Sequence, residues 1–299
     1  MKADSKLIGH LACFVAYAIF GINIIVCKDL TSSHLISPLA LFTLRSIGAG
    51  LLFWIISLFG AREKVEWRDH PKIIAASVLG FFLTQMTFLI AIPSITPLDC
   101  SIVSAMSPIY TMIIAAIALR EPITLQKAGG VALSFAGIIF LILNSATGSG
   151  ASHTTTVGLV LMIFNSLCFS LYLGIFKPLI GKYSVITFMK WIFFYSTLLA
   201  LPFSATEVIT IDYNSLPQNI VSELVFLIIC STFITYFLIP VGQKRIRPTL
   251  VSMYSYVQPI IATGISIYLG MDTLDWQKII AAITVFAGVV IVSYSKARE

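Results

Sequence analysis

Charge is what this chain has least of. Asp, Glu, Lys and Arg make up 11% of its residues, against about 25% in a soluble globular domain, so a water-soluble fold is excluded. Cysteine supplies no framework either. Cys13, Cys27, Cys100, Cys168 and Cys230 are odd in number, lack paired spacing and lie in or at the ends of apolar runs. That argues against disulfides and zinc, and leaves them as small buried hydrophobes. No phosphate-binding loop, dinucleotide fingerprint, metal-ligand cluster or nucleophile motif is present; neither an enzyme nor a cofactor is expected. A cleavable leader is not expected, because the first apolar run has no cleavage-site pattern and comparable runs continue to the C-terminus.

What the chain does have is hydrophobicity, at 58% of residues and a mean hydropathy of +0.96. A hydrocarbon core takes about 20 apolar residues per helix. Such runs fall at 7–27, 36–59, 73–93, 97–119, 127–145, 157–177, 185–204, 221–241, 248–269 and 277–295. Ten spans put both termini on one side. With that side cytoplasmic, the inside segments hold fifteen basic residues and the outside segments two, Lys28 and Lys278; Arg45 and Lys190 lie within spans. This is a positive-inside distribution. It accounts for the net charge of +6 by topology and anionic-lipid contact, not by nucleic acid.

The chain also repeats itself. Residues 95–141 align without a gap to residues 246–292 at an offset of 151. Pro97 falls on Pro248, Ser101 on Ser252, Ser104 on Ser255, Pro108 on Pro259, and Phe135-Ala136-Gly137 on Phe286-Ala287-Gly288. The first spans match at an offset of 149, with Gly9, Phe20 and Lys28 on Gly158, Phe169 and Lys177. Two repeats are expected, 1–149 and 150–299. Five spans is an odd number, so the second repeat must enter the membrane with opposite polarity. The expected fold is an all-α polytopic membrane protein of ten transmembrane helices in two inverted five-helix repeats, an arrangement suited to alternating access around a site near the midplane.

Ala105-Met106-Ser107-Pro108, followed by Arg120-Glu121-Pro122-Ile123-Thr124-Leu125-Gln126 and then by Gly130 and Gly137, resembles the EamA-type transporters of the drug/metabolite transporter superfamily. The resemblance covers the whole chain, including an arginine in span 2. It implies a multi-pass carrier in a cell membrane that moves small metabolites, often outward, without ATP hydrolysis. The family's range of amino acids, sugars, nucleotide derivatives and drugs names no substrate. The second half departs from the pattern: Asp272 and Thr273 stand where Glu121 and Pro122 do in the first, so the hairpin before span 10 is expected to be held differently.

The candidate site residues follow from cost. A mid-span proline removes a backbone donor and frees the carbonyl four residues earlier. For Pro108 and Pro259 those carbonyls belong to Ser104 and Ser255, and matched interruptions in two halves point to a transport site. A packing kink is the alternative. Arg45 sits about 13 Å into the membrane at about 1.5 Å per residue. A central arginine costs at least about 3 kcal/mol, so it must face protein or water, either binding an anionic group of the substrate or holding protein acceptors. Lys190 either snorkels to the interface or faces the cavity beside Trp191. His10, Asp99 and Glu223 lie near span ends and identify no proton-coupling group. Tyr17, Gln85, Asn165, Phe169, Tyr172 and Tyr236 are candidate cavity walls for a small amphipathic substrate. Gly130, Ser134, Gly137, Ala281 and Gly288 form small-residue faces for close packing, either between the repeats or at a homodimer surface. A secondary transporter of small organic solutes, such as amino acids, leads these readings. A lipid or lipid-linked sugar flippase and a non-transporting membrane sensor or assembly protein are the alternatives.

Overall fold

A computed structural model describes residues 2–60, 63–119, 124–145, 154–271 and 275–294. Glu121 and Pro122 in the first half, and Asp272 and Thr273 in the second, lie outside the described residues. Everything described is helix or connecting loop. The helices are α1 (Lys2–Ser32), α2 (Pro38–Phe59), α3 (Trp67–Ser94), α4 (Pro97–Ser104), α5 (Ser107–Leu119), α6 (Leu125–Ser145), α7 (Thr156–Ile175), α8 (Val185–Ile209), α9 (Gln218–Arg245), α10 (Pro248–Met253), α11 (Val257–Tyr268) and α12 (Trp276–Tyr294). A short connecting helix runs over Lys177–Lys182. Hydroxyl caps begin several of them. Ser37, Thr96, Thr155 and Ser184 each accept a backbone N–H from the first turn of α2, α4, α7 and α8, and Pro38 and Pro97 occupy positions where no donor is needed.

The molecule is an all-α polytopic membrane protein. Eight described helical stretches are long and apolar enough to cross a membrane: Ser5–Ser32, Pro38–Phe59, Trp67–Ser94, Pro97–Ile114, Thr156–Ile175, Val185–Ile209, Gln218–Arg245 and Leu250–Tyr268. The runs expected as spans 5 and 10 are α6 and α12, whose described apolar stretches, Ala128–Gly137 and Ile279–Gly288, are shorter. Leu51, Ile55, Leu58, Val160 and Phe203 are exposed, an outer surface that suits lipid and not water.

Matched residues make matched contacts, some within each half and some between the two. Lys28 donates to the carbonyls of Ile92, Pro93 and Ile95 at 3.0, 2.7 and 3.0 Å, while its counterpart Lys177 donates to Ile246, the counterpart of Ile95, at 3.1 Å. Gly9 packs on Arg245 and Gly158 on Ser94, again counterparts. Phe20 meets Phe169 edge to face with ring centroids 6.4 Å apart. Each ammonium thus satisfies carbonyls at a helix end that would otherwise lack donors. The small-residue faces close between the halves: α6 packs along α12, Ser134 Oγ donates to the Val285 carbonyl at 3.1 Å, and a Cβ on Gly288 would stand 2.1 Å from Ser134 Oγ.

The halves also share two local irregularities. Val78–Phe82 of α3 and Leu227–Ile234 of α9 are wound as π-helix. Thr84 Oγ1 donates to the Leu79 carbonyl at 2.6 Å, and its counterpart Thr235 to the Cys230 carbonyl at 2.9 Å, each five residues back. The proline spans are broken where matched prolines stand. α4 ends at Ser104 and α5 restarts at Ser107, with Pro108 its second residue. α10 ends at Met253, a 3₁₀ turn covers Tyr254–Tyr256, and α11 restarts at Val257, with Pro259 its third residue. Proline lacks the N–H a continuing helix needs but fits the first turn of a new one, so each span becomes two half-helices.

Candidate functional site

These irregularities border a cavity whose water-accessible volume is about 60 Å³. α1 contributes Tyr17, Phe20, Asn23 and Ile24; α3 contributes Thr84, Gln85 and Phe88; the break between α4 and α5 contributes Ser104 and Ser107. From the second half come Met162, Asn165, Ser166 and Phe169 of α7, Tyr236 of α9 and Gln258 of α11. Four counterpart pairs meet in this wall: Tyr17 with Ser166, Phe20 with Phe169, Gln85 with Tyr236, and Ser107 with Gln258. The cavity therefore lies where the two halves face each other.

No lining side chain is charged among the described residues. The polar groups are amides and hydroxyls, and several are only half used. Gln85 Nε2 donates to Tyr236 Oη at 2.9 Å, but Gln85 Oε1 has no hydrogen-bond partner among the described residues. The same is true of Tyr17 Oη and Ser166 Oγ. Tyr17, Gln85 and Ser166 are only 1%, 6% and 2% exposed, and a buried polar group without a partner is costly unless something supplies one. Asn165 Nδ2 is committed to the Thr84 carbonyl. Phe20, Phe88, Phe169 and Met162 complete the wall. Such a pocket, apolar with a few placed polar groups, has the chemistry of a small-molecule site.

Of the residues expected from sequence, Tyr17, Gln85, Ser104, Asn165, Phe169 and Tyr236 meet here. Pro108 and Pro259 are each one residue beyond a lining residue, Ser107 and Gln258. Ser255 is buried in the 3₁₀ turn with its hydroxyl unpartnered among the described residues, but it is not in the wall. Tyr172 stacks on Phe169, and its ring crosses Gly80 so closely that a Cβ there would stand 2.4 Å away. Lys190 is outside the wall, its ammonium 4.9 Å from the Trp54 ring centroid, a cation–π contact that fits a long cation at an interface.

Arg45 is fully buried and stands behind the wall. Its Nε donates to Thr232 Oγ1 at 2.9 Å, Nη2 to Ser231 Oγ at 3.3 Å and Nη1 to Cys27 Sγ at 3.6 Å. Among the described residues it has no carboxylate within ion-pair distance. Both acceptor hydroxyls come from the π-wound stretch of α9, whose extra residue per turn is a recurrent device at functional sites. Of the three titratable residues near span ends, His10 pairs with Tyr254 Oη at 2.8 Å and Asp99 accepts from Thr154 Oγ1; neither these nor Glu223 lines the cavity.

The lining residues missed at the sequence level include Asn23, Ser166 and Gln258. Asn23 and Gln258 are amides inside otherwise apolar runs, and that isolation is a readable signal. Ser166 is the counterpart of Tyr17, a signal available only once the repeat is used to transfer one candidate to the other half.

The profile of the EamA-like transporter family matches residues 7–143 and 156–294, once for each half. The chain belongs to the EamA-like transporter family. Its relatives are distant. An uncharacterized transporter of Archaeoglobus fulgidus is 28% identical over 205 residues, 69% of this chain and 70% of that one. The uncharacterized transporter YyaM of Bacillus subtilis is 20% identical and covers 82% of this chain and 80% of its own. An S-adenosylmethionine/S-adenosylhomocysteine transporter of Chlamydia muridarum is 23% identical over 237 residues, covering 76% and 74%. A crystal structure matches over the whole of both chains with a TM-score of 0.66 at 15% identity, a likeness of fold alone. For an EamA-like protein, the matching contacts between halves are the structural counterpart of the twofold family match.

Proposed function

We propose that the protein is a secondary transporter that exports small organic metabolites, amino acids or related solutes, across the cell membrane by alternating access. In this reading ten spans form two inverted five-helix repeats, residues 1–149 and 150–299, with both termini cytoplasmic. The repeats rock about the cavity while the half-helices of the two broken spans bend at Pro108 and Pro259. The observation that carries the proposal is the cavity itself: uncharged, partly unsatisfied and built from counterpart residues of both halves. Tyr17, Gln85, Ser104, Asn165 and Tyr236 contact the solute, and Ser255 supports the second break. The similar protein named as an S-adenosylmethionine/S-adenosylhomocysteine transporter is a precedent for carriage of a small metabolite.

The test is flux in proteoliposomes loaded with a panel of labelled amino acids, S-adenosylmethionine and aromatic metabolites. At least one should leave faster than from protein-free liposomes, and Gln85→Leu should slow that flux about tenfold or more, the cost of about 1.4 kcal/mol or more at one buried hydrogen bond. Scrambling of labelled lipid with no solute movement would instead establish a flippase and overturn the proposal.

A further inference from the structure

The directions of the hydrogen bonds behind Asn23 follow from one fact: arginine has donors and no acceptor. Ser231 Oγ accepts from Arg45, so its own hydrogen goes onward, and it goes to Asn23 Oδ1. Cys27 Sγ likewise accepts from Arg45 and donates to Asn23 Oδ1 at 3.4 Å. The oxygen of the Asn23 amide is thus engaged twice, by two groups that Arg45 itself polarises, and its NH₂ is the group left for the cavity that Asn23 lines. Asn23 is 4% exposed and Arg45 1%. Chained donors of this kind strengthen one another in a low-dielectric interior. They end in an N–H pair backed by a full positive charge that has no carboxylate within ion-pair distance among the described residues.

The arrangement exists once. The counterpart of Asn23 is Tyr172, and the counterpart of Ser231 is Gly80; those two pack ring against backbone with no space for a Cβ. The repeat therefore supplies a symmetric chamber, and Arg45, Ser231, Cys27 and Asn23 give it a single electropositive pole.

We propose that this pole selects the substrate: the cavity takes an organic solute bearing a carboxylate or another anionic oxygen group on an apolar or aromatic body, and rejects cations. Asn23 contacts the anionic group, and Arg45 is a positioning residue that acts through Asn23 and through its charge. This rests on the reading of the cavity as the transport site. Phe20, Phe88, Phe169 and Met162 receive the apolar body. An anion bound by amide donors in front of a buried cation gains more than it would in water, whereas a cation meets repulsion that little solvent screens.

The selection is testable without knowing the substrate. In the full-length protein, Cys13, Cys100, Cys168 and Cys230 are replaced by alanine, Cys27 is kept as part of the network, and Ser166→Cys places a thiol in the cavity wall. Its reaction rates with sulfonatoethyl, trimethylammonioethyl and hydroxyethyl methanethiosulfonates are each divided by the rate with free 2-mercaptoethanol, and the protein without Ser166→Cys gives the background. The anion-to-cation ratio should be about tenfold or more, should fall to near one in Arg45→Gln, and should be largely kept in Arg45→Lys. If Arg45→Gln does not fold, Asn23→Leu reads the same pole and should lower the ratio at least threefold. A ratio of one or below, or a ratio unmoved by whichever of these variants folds, overturns the inference and leaves the transport reading standing. No reaction with any of the three reagents overturns the cavity, and both readings with it.

Discussion

Gln85 and Tyr236 occupy equivalent places in the two halves and hydrogen-bond to each other at 2.9 Å. A residue that meets its own counterpart is held by both repeats, and removing either partner strands the other. Hydrogen bonds between membrane helices average about 0.6 kcal/mol and reach about 1.7. A double-mutant cycle of Gln85→Leu and Tyr236→Phe, read by unfolding in detergent, should give a coupling of about 0.5–1.5 kcal/mol. The same two residues are cavity-wall candidates in the sequence, where a mixed polar and aromatic lining suits a small amphipathic substrate. Arg45 was legible as costly but not as to what it serves. Its partners, Ser231, Thr232 and Cys27, are far from it in sequence or unremarkable alone, and a hydroxyl in an apolar run does not announce an arginine. Tyr172 and Lys190 were singled out for residue type, and the fold turned one onto Gly80 and the other onto Trp54.

At the scale of the helix, proline was the informative residue. Pro108 and Pro259 mark breaks that lie two to five residues before them, since proline fits the first turn of a new helix but cannot donate to a helix that continues through it. The π-wound stretches Val78–Phe82 and Leu227–Ile234 were not legible, because an added residue per turn leaves the apolar pattern of a membrane span nearly unchanged. The small-residue faces left two readings open, between repeats or between copies of the chain. α6 and α12 settle their use within one chain, with Gly288 so close to α6 that a Cβ would stand 2.5 Å from the Gly130 carbonyl oxygen. Gly288→Leu should force these helices apart and destabilise the protein by about 1–3 kcal/mol, the usual range for overpacking, measured as a lower melting temperature in detergent; Gly264→Ala, where nothing stands within 4 Å, should change it little.

The whole molecule is held together outside the membrane as well. Glu63, in the loop after α2, accepts the Ser184 backbone N–H, shared between its two carboxylate oxygens at 3.2 and 2.9 Å, at the start of α8 in the other half. Burial alone would raise its carboxyl, but hydrogen bonds from Thr187 and Ser184 outweigh burial and hold it below its ordinary value of 4.5. A carboxyl lowered on folding contributes stability that is fully present above the ordinary value and is lost as pH falls through the lowered one. The melting temperature of Glu63→Gln should therefore lie below that of the unaltered protein at pH 6, and the difference should shrink as the buffer is taken progressively below the ordinary value of 4.5; an unchanging gap would assign the effect to packing. Nearby, Lys182 bridges Asp69 and Glu66, both at 2.7 Å, and these bonds push its ammonium above the usual lysine range.

Composition, apolar run length and the internal repeat determine, without the tertiary structure, that this is a multi-pass helical membrane protein of two related halves, and the matched prolines Pro108 and Pro259 mark where its spans break. Those properties depend on the chain's own solubility and local backbone chemistry, which every residue reports in place. Only the tertiary structure decided which polar side chains share a chamber, which are turned outward or into packing, and how Arg45 reaches Asn23. Those outcomes depend on how two halves dock, and docking brings together residues more than a hundred positions apart through contacts no local pattern encodes. The repeat predicts a symmetric chamber; the docked halves give it one charged side.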